Sequence, residues 1–187
     1  LSSSSAASDV YKRQVAVKGE AILAVGDSQS LLADYPNAEK LDAGQQVVMP
    51  GFVDPHTHLI WAGDRASEFT MRLQGKTYME ILTAGGGILS TVNATRAASQ
   101  EELLHQTRQR SLAAFYHGTT TAEVKTGYGL TFDSEMDQLK AILSLDEEGP
   151  LQLVSTFLAA HAVPPEFKHN PQAYVDLICN EMLPELA

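Results

Sequence analysis

Apolar and polar positions follow two different rhythms along this chain, and the change falls near residue 50. Before it, "VAVKGEAILAVG" (residues 15–26) holds two short apolar runs around Lys18-Gly19-Glu20, which predicts a β-hairpin. "QVVMPG" (residues 46–51) gives a third strand-like run, closed by Pro50-Gly51. The turn-rich stretch between them has room for one helical turn at residues 29–34. After residue 50, short apolar runs alternate with segments of helical spacing. "GFVDPHTHL" predicts a short buried strand running into a loop. Helical spacing follows over residues 68–83, at Phe69, Leu73, Met79 and Leu82, until Gly85-Gly86-Gly87 interrupts it.

A helix is predicted over residues 100–117, with Leu103, Leu104, Leu112 and Phe115 on one side, Ser99 at its start and Gly118 at its end. "TTTAEVKT" is β-branched and strand-like. The next helix is predicted to start at an Asp133 cap, to carry Met136, Leu139, Ile142 and Leu143 inward, and to stop at Gly149-Pro150. "LQLVSTFLA" predicts another buried strand, and "PQAYVDLICNEML" a last helix opened by Pro171. Strands that alternate with helices are the pattern of parallel βα units. About three such units are present, and a closed (β/α)8 barrel takes roughly 250 residues. The expected fold class is therefore α/β, with either part of such a barrel or a smaller self-contained sheet.

Three segments are expected. Residues 1–14, "LSSSSAASDVYKRQ", show no strand or helix period and no signal-peptide core, and are expected to be either a disordered tail or non-native sequence; "SDVYKRQ" looks like adaptor-derived sequence joined to a truncated reading frame. Residues 15–49 form a partial small β domain, and residues 50–187 the α/β part.

Composition narrows the partners. The 187 residues carry a formal charge of −10, which repels phosphate backbones and anionic lipid, so neither nucleic acid nor membrane is an expected partner. No apolar run approaches the roughly 20 residues of a bilayer span. The single cysteine, Cys179, cannot form an internal disulfide, fits a cytoplasmic, reducing setting, and is expected to be packed within the last helix. His105, His117 and His169 are expected to be solvated.

The candidate chemistry lies at strand ends. His56 and His58 are two residues apart, which on a strand puts both imidazoles on one face about 6–7 Å apart, a spacing from which two nitrogens can converge on one cation. Asp54 shares that face, either as a support or as a turn residue before Pro55. Arg65 follows in the next loop, either as a cationic anchor or as a surface group paired with Asp64 or Glu68. Tyr128 sits between two glycines after a strand, His161 follows the next strand, and Lys125 has Glu123 two positions away as a salt-bridge partner. The glycine triplet lacks the lysine and spacing of a phosphate loop.

"PGFVDPHTHL" resembles the first-strand metal motif of the amidohydrolase superfamily, and the β-rich segment before it resembles that superfamily's small sandwich domain. The blocks "HTHLIWAGDRASEF", "RLQGKTYMEI", "GGGILSTVNATR", "EVKTGYGL" and "FLAAHAVPPEF" resemble, in this order, the imidazolonepropionase family over residues 15–187. That resemblance implies a hydrolase opening the imidazolone ring of 4-imidazolone-5-propanoate to N-formimidoyl-L-glutamate in histidine degradation. It implies one zinc or iron ion held in part by His56 and His58, and a small carboxylate-bearing substrate. Arg65, Tyr128, His161 and Tyr78 would bind that substrate, His161 also acting in catalysis by hydrogen-bonding or polarising the ring carbonyl. Lys125 has no ligand role in it, and a homodimer is compatible with it. The remaining metal ligands and the acid–base group of the family find no place in residues 1–187, so the chain is expected to be a front portion, inactive alone. The alternatives are another amidohydrolase, such as a heterocyclic-base deaminase for which Arg65 would have no purpose, and a non-catalytic α/β module.

Overall fold

The computed structural model describes residues 13–44 and 46–186. The adaptor-like reading of residues 1–14 falls almost wholly outside them. The chain divides into two compact units at Pro50/Gly51.

In the first unit, β1 (Arg13–Lys18) pairs antiparallel with β2 (Ala21–Asp27), joined by the expected tight turn at Gly19-Glu20. Helix α1 (Ser28–Asp34) follows, capped by Asp27, whose carboxylate accepts from Ser30 N–H at 2.9 Å. The apolar run at residues 46–51 is extended but pairs with no strand among the described residues.

The second unit holds a three-stranded parallel sheet in the order β3 (Phe52–Thr57), β4 (Thr119–Lys125), β5 (Gln152–Thr156). Sequential parallel order requires each strand to be followed by a crossover, and helices supply it. The architecture is thus mixed α/β, with no closed barrel among the described residues. Strand β3 is not buried as its sequence suggests. It lies at the edge of the sheet, and Phe52 and Val53 are more than half exposed.

Residues 66–83 form two helices, α2 (Ala66–Leu73) and α3 (Tyr78–Thr83), rather than one continuous periodic stretch. Gly75 breaks them at φ +86, a conformation glycine enters without steric cost. Thr77 and Glu80 then open α3 with a reciprocal capping box. Helix α4 (Ile88–Ala97) went unmarked by periodicity, because two of its three buried side chains, Thr91 and Thr95, are polar. Helix α5 (Gln100–Tyr116) starts at Ser99 as expected. Helix α6 (Phe132–Glu148) is capped by Thr131, not Asp133, which occupies its first turn. Its inward stripe contains Met136, Ile142 and Leu145, while Leu143 is half exposed. Helix α7 (Pro171–Leu177) opens on Pro171 and runs into a wider π turn over Ile178–Met182, where Cys179 is exposed rather than packed.

Two apolar clusters hold this unit. One packs Ala122, Val124 and Leu153 of the sheet against Ile142 and Leu145 of α6. The other gathers Val92, Leu130, Met136, Tyr174 and Met182. Each fully buried aliphatic side chain contributes about 1.5–3 kcal/mol. No helix among the described residues is long and apolar enough to cross a membrane.

Candidate functional site

Because β3, β4 and β5 are parallel and adjacent, their C-terminal ends open onto one edge. His58 follows the end of β3, Tyr128 lies three residues beyond β4, and His161 ends a short 3-10 turn (Ala159–His161) beyond β5. Their rings meet. The His58 and His161 imidazoles stack at 4.8 Å between centroids, Tyr128 lies 5.2 Å from His58 and 5.3 Å from His161, and His56 is 5.9 Å from His58.

Burial, reinforced by the charges of His161, His56 and Lys125 and opposed by Glu123, lowers the His58 pKa below the usual imidazole value. A neutral ring keeps the lone pair a cation needs. Its Nδ1 is buried and has no hydrogen-bond partner among the described residues, so a ring nitrogen is left uncommitted inside the cluster. That orphaned nitrogen, with His56 alongside, could supply half of a metal site. It is half only, since no group of three or more His, Cys, Asp or Glu side chains suited to a metal occurs among the described residues. Asp54 supports the strand end, accepting from the His56 N–H at 3.2 Å.

His161 has a defined tautomer. Its Nδ1 lies 3.0 Å from the Gly127 carbonyl, which can only accept, so Nδ1 carries the proton and Nε2 is left to face a ligand. A neutral His161 therefore offers an acceptor at Nε2. The carbonyl-polarising role expected from sequence needs a donor there, which only the imidazolium provides. Gly127 makes this contact at φ +108, and a Cβ on it would sit 2.8 Å from His161 Cβ. Burial raises the Tyr128 pKa, with Arg65 opposing, so the phenol stays a donor at neutral pH.

Arg65 stands just before α2 and is bound to Glu68. Its Nε and Nη2 donate to one Glu68 oxygen at 2.9 and 2.6 Å. The other oxygen accepts from the Gly87 N–H at 2.9 Å, so the glycine triplet anchors the pair. Glu68 uses the side edge of the guanidinium, and among the described residues Nη1 has no hydrogen-bond partner. The hydrogen bonds it donates to Glu68 raise the Arg65 pKa against the opposing effect of burial, and the charge of Glu68 and the fields of Tyr128 and Tyr78 add to the rise. Tyr78 itself is exposed on α3, and among the described residues it makes no ring contact with the histidine cluster.

Lys125 pairs with Glu123, whose carboxylate also accepts from Thr156 Oγ1 at 2.6 Å. Arg110 on α5 was not anticipated. It donates to the carbonyls of Leu59 and Trp61 at 3.0 and 2.7 Å and covers the Trp61 indole at 3.5 Å, fixing the chain just after His58. Nothing in its local sequence signals this, because both partners lie about 50 residues away.

No protein-family model matches the chain. It is 51% identical to the imidazolonepropionase of Herpetosiphon aurantiacus over 173 residues, which cover 92% of this chain and 40% of that protein. It is 51% identical to the imidazolonepropionase of Brevibacillus brevis over 167 residues (87% and 39%), and 47% identical to that of Brucella suis over 178 (95% and 44%). The chain thus spans about two fifths of the length of the curated relatives it matches. Over that portion, the chain is a homologue of the imidazolonepropionases.

Proposed function

We propose that this chain supplies part of the active site of a metal-dependent hydrolase that opens the imidazolone ring of 4-imidazolone-5-propanoate to N-formimidoyl-L-glutamate. The observation that carries the reading is the convergence of His58, Tyr128 and His161 at one edge of the parallel sheet, beside an uncommitted imidazole nitrogen. On this reading the three strands begin a (β/α)8 barrel and the hairpin unit is part of a small β-sandwich.

His56 and His58 would hold the metal, together with ligands from outside residues 1–187. When bound, zinc or iron would act as a Lewis acid, lowering the pKa of water toward neutrality. Arg65 binds the propanoate through Nη1, and Glu68 keeps the guanidinium aimed. Tyr128 donates its phenolic proton to a substrate oxygen. His161 accepts a ring N–H at Nε2, or donates from Nε2 when protonated. Tyr78, close enough to Arg65 to add to its field, would contact the same substrate. In the net reaction, water adds its oxygen to the ring carbonyl carbon, the C–N bond breaks and a proton passes to the leaving nitrogen. The acid–base group for that transfer lies outside this chain. The substrate is a small carboxylate and the compartment cytoplasmic.

The test joins this chain to the remaining portion of the Herpetosiphon aurantiacus relative and measures ring opening by substrate absorbance. Turnover that falls at least 100-fold in His161→Ala, with metal content unchanged, is the expected result. An inactive chimaera that folds and binds metal, or undiminished turnover in His161→Ala, would overturn the assignment.

A further inference from the structure

The loop that carries Tyr128 is built around a carboxylate for which the proposed chemistry has no use. Glu135 lies in the first turn of α6 and is fully buried. One of its oxygens accepts from the N–H groups of Gly129 and Leu130, both at 2.8 Å, and the other from the Gly127 N–H at 3.0 Å. Three amides within four residues thus point at one side chain, and Tyr128 is the residue they bracket. From the other side, Arg96 on α4 donates through Nε to the Gly129 carbonyl at 2.6 Å and through Nη1 to Glu166 at 2.6 Å. The loop's donors and acceptors therefore end on opposite charges.

The loop needs such a hold. Leu130 has φ +55, a left-handed conformation that costs a non-glycine residue energy and persists only where neighbours over-determine it. Gly127 is also at positive φ, and its carbonyl fixes the His161 tautomer. One carboxylate thereby governs both the Tyr128 phenol and the proton position on His161.

We propose that Glu135 is a positioning residue for the substrate-contacting groups: it acts through the 127–130 backbone to set the Tyr128 ring against His58 and His161. The inference rests on the proposed function only in treating Tyr128 and His161 as substrate contacts. The geometry it asserts is read without any turnover, so its failure and that of the hydrolase reading are distinguishable.

The experiment is residue-resolved amide exchange with NMR of the histidine ring protons, on this chain and on Glu135→Gln and Glu135→Ala. A glutamine amide nitrogen cannot accept, so Glu135→Gln must abandon either Gly127 or the Gly129/Leu130 pair. In the unsubstituted chain the three amides should exchange at least 100-fold more slowly than free peptide. In Glu135→Gln at least one of them should speed up tenfold or more while Ala122 and Val124 in β4 are unchanged. The His161 ring protons should shift as the Tyr128 ring, 5.3 Å away, moves. In Glu135→Ala all three amides should lose protection. Free-peptide exchange of these amides in the unsubstituted chain would overturn the proposal, and so would unchanged His161 resonances in both variants. Loss of β4 protection together with the loop would show a fold-stabilising role instead and would also overturn it.

Discussion

Replacing Glu68 by alanine should cost this chain about 1–3.5 kcal/mol, and most of that comes from a backbone amide rather than from the ion pair. The Glu68 side chain is 7% exposed and serves two donors. Without it the buried Gly87 N–H has no acceptor, which costs about 1–3 kcal/mol. The Arg65 partner is 40% exposed, and water can take over its bonds, so the ion pair contributes only about 0.2–1 kcal/mol. Alanine's better helix propensity returns a few tenths. The Arg65 hydrogen bonds, followed by that from Gly87, hold the Glu68 carboxyl below its usual range against the opposing effect of burial. A depressed carboxyl stabilises the fold fully above its unfolded pKa, and the contribution is lost as pH falls through the folded value. The gap between the unsubstituted chain and Glu68→Ala should therefore be full at pH 7 and shrink below about pH 4. Urea unfolding at pH 7 and pH 3 measures both. A difference under about 0.5 kcal/mol at pH 7, or one that widens on acidification, would refute the assignment of Glu68 as the link between Arg65 and the glycine triplet.

Three further substitutions probe the same edge of the sheet. Gly127→Ala puts a Cβ 2.7 Å from the Leu158 carbonyl at φ +108; it should cost about 1–3 kcal/mol and pull the His161 ring from its stack on His58, seen as a change in histidine proton shifts. Arg110→Lys removes the fork over Trp61; a red shift in the emission of this single tryptophan and a loss of about 1–3 kcal/mol are expected, and unchanged emission would count against the clamp. Tyr174→Phe removes the hydroxyl that donates to the Ala159 carbonyl at 2.8 Å, behind His161, at about 1–2 kcal/mol at pH 8. Burial pushes the Tyr174 pKa up, so its contribution is full below about pH 10 and lost as pH rises further; unfolding at pH 8 and pH 11 should show the gap closing.

The elements that the sequence announces are those written in local chemistry. The hairpin at Gly19-Glu20, the Ser99 cap, the Pro171 start and the alternation of strand and helix all depend on neighbours within a few residues. The same local rules place His56 at the end of a strand and His58, Tyr128 and His161 after strands. That three of these rings touch follows from the parallel strand order, which periodicity alone does not fix. Misreadings arise where tertiary context decides. Thr91 and Thr95 hide α4 by being polar and buried, Gly75 cuts what looks like one helix, and β3 looks buried because its apolar residues say nothing of which neighbours are present. Arg96, Arg110 and Glu135 are invisible in sequence for another reason. They bind backbone groups, several of them distant, and a backbone group has no residue signature. Of Glu68 only the pairing with Arg65 is legible, not the bond from the Gly87 amide.

The most direct measurement is metal stoichiometry, by equilibrium dialysis with zinc and with iron, of this chain alone and joined to the remaining portion of the Herpetosiphon aurantiacus relative. Two imidazoles make half a site, so the chain alone should bind weakly, and the joined protein should hold one ion that is lost in His56→Ala and in His58→Ala. One tightly held ion in both substituted proteins would contradict the assignment of these two histidines at its root.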